Sequence, residues 1–333
     1  MSWIDRIVRA ASRRGIPSWA LFVAGFAVLG LLIVAGKWQD GTARFPELHP
    51  AALNGFYLPA GLAAYGLLTR AAGRALERIK PVLDSDVDLE LARRRLTSMP
   101  QWQFVVSWFV GAADAGLLMR FVPQYTANIA SPLLPVLLVG IIGFTISYGV
   151  AAVVGWQCLR IIATVVSLHR RVHKVDLFRP APAHAFAPVT GGVGVYLMVN
   201  MAFTALSNPE SLSSPATIAL TVLAFSTGIA AFVLPLAAMR DRLLDAKREL
   251  ADDNAVHIAA VMTSLHKAVD ADDYERVGGI QSALDALLAR RELIRRASTL
   301  PWEPRVASGF ATTLLAPIAI WLITTTVGRL LGL

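Results

Sequence analysis

Residues 215–239, PATIALTVLAFSTGIAAFVLPLAAM, run directly into residues 240–270, RDRLLDAKRELADDNAVHIAAVMTSLHKAVD. The first stretch meets the length of about 20 apolar residues that crosses about 30 Å of hydrocarbon. The second is charged yet keeps a helical period, with Ile258, Val261, Met262, Leu265 and Val269 on one face. No Pro or Gly stands between Leu236 and Val269. One helix of about 50 residues is therefore predicted to leave the bilayer and continue as a rod.

The chain then turns at Asp270-Ala271-Asp272-Asp273, where Asp272 is expected to cap a second helix with Glu275 three residues on. Val277, Ile280, Leu284, Leu287, Leu288 and Ile294 repeat on one face of that helix. The expectation is an antiparallel cytosolic helical hairpin over 240–305, with Ile258, Leu265, Leu284 and Leu288 as its interaction residues, for a second copy or a cytosolic partner. Gly278-Gly279 marks either a close approach of the arms or a hinge, and Pro301-Trp302 ends the return with an aromatic ring at the interface.

Composition supports a lipid solvent for most of the remaining chain. Of 333 residues, 55% are hydrophobic and 16% charged, against about 25% charged in a soluble domain. Seven segments read as spans: Pro17–Gly36, Ala51–Thr69, Phe104–Val122, Pro132–Trp156, Ala185–Leu206, Pro215–Met239 and Ala307–Leu331. The predicted fold class is all-α, a polytopic bundle of about seven spans. Its divisions are an interfacial amphipathic helix over 1–16, six spans over 17–239, the hairpin, and a last span over 306–333. With the N-terminus in the cytosol, 27 of the 31 Lys and Arg residues fall on the inner side, as the positive-inside rule requires. The net charge of +8 is thus a topology signal rather than a nucleic-acid surface, and the expected location is the plasma (inner) membrane with the C-terminus outside. The first residues, with Trp3, Ile4, Ile7, Val8 and Ala11 on one face, read as an uncleaved interfacial helix.

Intramembrane polar candidates are Asp114, Asn54, Asn200 and Tyr148. A carboxylate at membrane depth costs several kcal/mol unless it is neutral, paired or hydrated, so Asp114 is either an ion or proton site or a helix-packing hydrogen bond. Arg120, about 240° further around the helix, is expected to snorkel outward. Asp84 to Glu90 carries acids at alternate positions but lacks the Gly and final Glu of a calcium loop. It reads instead as the start of a short helix whose end is Arg93, Arg94 and Arg95. His169 and His173 share a face, but Arg170 stands where a zinc protease has Glu, so a headgroup role is expected. Gly191-Gly192-Val193-Gly194 reads as close helix packing. The lone Cys158 permits no internal disulfide, and no proposed span holds the lysine a retinal Schiff base needs. Neither cofactor nor metal is expected. No nucleophile, base and orienter stand at a recognisable spacing. The expectation is a non-enzyme, a membrane sensor or adaptor, with an ion channel or small-solute transporter using Asp114 as the alternative.

At Val175-Asp176-Leu177-Phe178-Arg179-Pro180-Ala181-Pro182, then Ala185-Phe186, and again at Leu300-Pro301-Trp302-Glu303-Pro304, the chain resembles a set of uncharacterised prokaryotic multi-span membrane proteins. The resemblance runs from the fourth span onward. It implies a cytosolic hairpin before a final span with an internal proline, here Pro317, and carries no activity.

Overall fold

The computed structural model describes residues 2–39, 41, 54–121, 130–172, 176–178, 181–207 and 215–315. Among these the regular structure is helical, apart from an isolated antiparallel bridge between Leu83 and Val172. The helices are α1 (Trp3–Arg13), α2 (Ser18–Gln39), α3 (Tyr57–Ile79), α4 (Leu89–Thr97), α5 (Gln101–Phe121), α6 (Leu134–Arg170), α7 (Ala187–Ser207), α8 (Pro215–Asp270) and α9 (Tyr274–Arg296). A further helix, α10, is described over 304–315.

Three helical stretches are long and apolar enough to cross a membrane: Ser18–Gln39, Leu89–Phe121 and Leu134–Arg170. In α2 the buried residues are Ser18 and Gly30, while Val28, Leu31 and Leu32 stand exposed, as do Val106, Phe109 and Val110 on α5 and Val139 and Ile142 on α6. Apolar surface of this extent suits lipid as its solvent. In α3 the charges begin at Arg70, which shortens its apolar part. The last expected span, with Pro317, lies largely outside the described residues.

Small residues set the helix crossings. A Cβ on Gly111 of α5 would meet the Tyr148 carbonyl and the Ala152 side chain, and one on Gly149 of α6 would enter the Trp108 indole. The two backbones approach because neither position carries a side chain. The run Gly191 to Gly194 does similar work between α7 and α8: a Cβ on Gly194 would lie 2.7 Å from the Gly228 carbonyl oxygen. The main core joins α1, α3, α4, α6 and α7 around Tyr65, Ile79, Leu96, Ile161 and Phe186. A smaller cluster ties α7, α8 and α10 through Met198, Phe232 and Phe310.

Helix α8 is continuous for 56 residues with Pro235 inside it, about 84 Å at 1.5 Å per residue. Helix α6 ends at Arg170, where the Arg242 guanidinium of α8 donates to the Arg170 carbonyl at 3.0 Å. The cap of α9 falls one residue later than the sequence suggested. Asp272 takes a left-handed φ of 56°, reversing the chain, and Asp273 instead accepts from the Arg276 N–H at 3.3 Å. A short polar side chain tolerates that backbone region better than most. Gly278 and Gly279 are not a close approach, since a Cβ on either meets nothing within 4 Å. Lys247 of α8 donates to the Arg295 and Ala297 carbonyls at the end of α9, both at 2.8 Å, and Asp253 pairs with Arg290 at 3.1 Å.

Candidate functional site

The sequence candidates at membrane depth do not gather at one point. Asp114 is exposed on α5, to one side of the Gly111 and Ala115 face that packs on α6. Its carboxylate has no hydrogen bond or ion pair among the described residues, so the packing hydrogen bond anticipated from sequence is not made there. Arg120 points at its neighbour instead, with its guanidinium 5.6 Å from the Phe121 ring centre. Tyr148 is half-buried on α6 with its ring 4.5 Å from that of Phe144. Asn200 donates to the Tyr196 carbonyl of its own helix at 2.8 Å. Asn54 opens a short 3-10 turn, Asn54–Phe56, and its side chain lies outside the described residues. The Phe56 ring at the end of that turn stacks on Phe203 at 3.6 Å, which brings the turn against the helix of Asn200.

His169 turns inward rather than toward headgroups. It is fully buried, with Nδ1 2.8 Å from the Pro235 carbonyl of α8 and its ring edge-on to Phe186. A carbonyl only accepts, so Nδ1 carries the hydrogen and Nε2, buried without a partner, is the lone-pair nitrogen when the ring is neutral. His173 lies outside the described residues. Among the described residues no group of three or more His, Cys, Asp or Glu side chains is placed to hold a metal.

On α8 and α9 the facing residues recur at steps of three and four, with one step of seven before Ile294. Asn254, Ile258, Val261, Leu265 and Ala268 line one helix, and Val277, Ile280, Leu284, Leu287 and Ile294 the other; Ile258, Leu265 and Leu284 are half-buried. Leu288 is different, at 43% exposed, and Val256, Val269 and Leu293 join it on the open flanks. Asn254 is the polar member of the seam. Its Nδ2 donates to the Leu287 carbonyl at 3.2 Å, and its Oδ1 is buried without a partner among the described residues. A buried Asn in such a seam fixes register at some cost in stability.

The most highly organised polar group is one the sequence reading passed over. Asp5 in α1 is 2% exposed and accepts four hydrogen bonds. Oδ2 takes the Ser2 N–H (3.0 Å), the Ser2 hydroxyl (2.9 Å) and the Met99 N–H (3.2 Å), and Oδ1 takes the Tyr65 hydroxyl at 2.6 Å. One carboxylate thus fastens α1 to α3 and to the α4–α5 junction. Next door, Gln157 of α6 donates to the Arg95 and Leu96 carbonyls, closing the C-terminus of α4, and Arg160 donates to the Ser98 carbonyl. The pattern Ser2-Ile4-Asp5 before an apolar face was the available signal: a capping box with Asp in place of Glu. Beside this junction a hollow of about 790 Å³ opens between α1, α3 and α4, lined by Arg9, Arg70, Arg74 and Arg93 together with Asp5 and Glu77.

No family model matches the chain, and neither a curated protein nor a solved structure matches it.

Proposed function

We propose that this chain is an integral membrane adaptor or sensor. It crosses the bilayer about seven times, with its N-terminus in the cytosol and its C-terminus outside, and α8 and α9 form a cytosolic hairpin that engages a protein partner or a second copy. It is not an enzyme in this reading and needs no cofactor. One observation carries the proposal: α8 is a single 56-residue helix joining an apolar segment to a pair of helices whose flanks keep Val256 at 68% and Leu293 at 60% exposed. Displacement of a rigid rod at its membrane end moves its far end, which is what a transmitting element requires.

The test separates the seam from the flanks in the full-length protein. Val269→Gln, Leu288→Gln and Leu293→Gln together abolish self-association or partner capture while helicity is retained. Undiminished association in that triple variant contradicts the reading.

A second reading rests on Asp114, a carboxylate on the exposed side of an apolar helix that is unpaired among the described residues. Such a group is tolerated where it meets water or a partner, and an ion path between copies supplies both. Asp114→Asn alters ion flux through reconstituted protein in that case and leaves a silent bilayer silent otherwise.

A further inference from the structure

The hollow beside α1 is a concentration of positive charge that its own carboxylates neutralise only in part. Arg9 comes from α1, Arg70 and Arg74 from α3, and Arg93 from α4, so three separate helices contribute arginines to the lining of one space of about 790 Å³. None of the four forms an ion pair among the described residues, although carboxylates line the same hollow. Both oxygens of Asp5 are already taken by neutral donors of Ser2, Met99 and Tyr65, so its charge faces the hollow without an arginine bonded to it. With Glu77 that makes two negative charges against four positive ones. Arg70 is further held in place by donating to the Ser18 hydroxyl at the start of α2.

Tryptophans fix the depth of this hollow. Trp19 and Trp102, 68% and 65% exposed, stand at the starts of α2 and α5. Trp156 of α6 is 43% exposed and donates to Gln103 at 3.4 Å, so it lies at the level of the α5 start. Indoles at one level of an apolar bundle mark the membrane–water boundary, and Arg70 is tied to the residue directly before Trp19. With the chain in a bilayer as proposed above, this arrangement puts the arginine hollow at headgroup depth, where the effective dielectric is lower than in water and a bound anion is held more strongly.

We propose that this hollow is a binding site for a phosphate-bearing anion, either the headgroup of an anionic phospholipid or a small soluble phosphate compound. Guanidinium groups bind phosphate oxygens in bidentate fashion, and four of them around one space match a group carrying more than one negative charge. The ligand also bridges α1 to α3 and α4, so its binding stabilises the packing of the N-terminal helix. This inference is independent of the adaptor reading, because it concerns the opposite end of the chain and requires no protein partner.

The experiment uses the full-length chain in nanodiscs and follows unfolding by tryptophan emission. One arm adds inorganic pyrophosphate to discs of phosphatidylcholine alone; the other replaces part of that lipid with phosphatidylglycerol. A ligand that binds only the folded state raises the unfolding temperature with its concentration, so at least one arm shows a rise. Pyrophosphate stabilisation identifies a soluble anion, and stabilisation with phosphatidylglycerol alone identifies the headgroup. In Arg74→Gln with Arg93→Gln the rise falls to less than about half, whereas Arg291→Gln on the exposed surface of α9 keeps it in full. Both substituted side chains are exposed and make no internal side-chain bond, so without anion the double variant unfolds at or above the parent's temperature. No rise in either arm, or an equal rise in the double variant, overturns the proposal.

Discussion

The two ends of this molecule are held together by opposite means. Around Asp5, a buried carboxylate, a buried Tyr65 and the backbone of Met99 form a closed set in which every oxygen of the acid is used. Between α8 and α9 the contacts are exposed ion pairs such as Asp253 with Arg290, carbonyls reached by Lys247, and a seam that stays half-open. Buried polar sets are rigid when fully satisfied and costly when broken. Exposed ion pairs contribute about 0–1 kcal/mol each. The N-terminal junction is therefore the fixed part of the fold, and the α8–α9 pair is the part held by weaker, exposed contacts; the proposed exchange of those contacts for a partner's rests on that difference.

The largest effect is expected where the bundle itself depends on an absent side chain. Gly111→Leu or Gly149→Leu forces α5 off α6, because the added atoms meet the Tyr148 backbone or the Trp108 indole. Loss of folded protein on detergent extraction checks this, and normal yield and melting would contradict it. Next comes the N-terminal junction: Tyr65→Phe leaves Oδ1 of Asp5 without its donor in a buried site, at a cost of about 1–3 kcal/mol. A lowered unfolding temperature and faster proteolysis near Arg13 and Arg14 are the expected readouts.

The α8–α9 pair responds more gently and in both directions. Asn254→Leu removes an acceptor that is buried without a partner and raises the stability of the pair, while loosening its register. Paired spin labels on the two helices then report a broader distance distribution. The smallest effect concerns Glu292, which hydrogen bonds from Arg295 and Arg296 hold down at about 2. A depressed carboxyl contributes stability above its unfolded value, and that contribution is lost as pH falls through about 2. Glu292→Gln flattens that acid limb of the unfolding curve and leaves neutral pH nearly unchanged.

Legibility in the sequence differs between the same two regions. The long helix was readable because helix breakers are absent over 236–269 and the apolar residues keep one period, and α8 spans that stretch. The short helix after Pro81 was readable from charge order, and Asp88 caps it by accepting from the Leu91 N–H at 2.8 Å. The turn at Asp272 was misplaced by one residue because cap identity depends on which acid takes the left-handed backbone, and both neighbours are Asp. His169 was read as interfacial from its basic neighbours, yet burial is decided by Phe186 and Pro235, distant in sequence. Asp5 was hidden for the same reason. Its partners Tyr65 and Met99 are 60 and 94 positions away, and a single acid among apolar residues carries no sign of them.

The open flank of the α8–α9 pair is the proposed partner surface, and crosslinking from that flank tests it most directly. The native chain has one cysteine, Cys158, which is buried, so Leu288→Cys in intact membranes places one reactive thiol on the flank. Ala286→Cys, about 200° around the same helix, is the control. Treatment with a short bismaleimide is predicted to give an adduct of higher mass from Leu288→Cys, to a second copy or to another protein, and little from Ala286→Cys. Monomer alone at both positions, with both thiols shown to be reactive, would contradict the claim that this pair of helices is where the protein meets its partner.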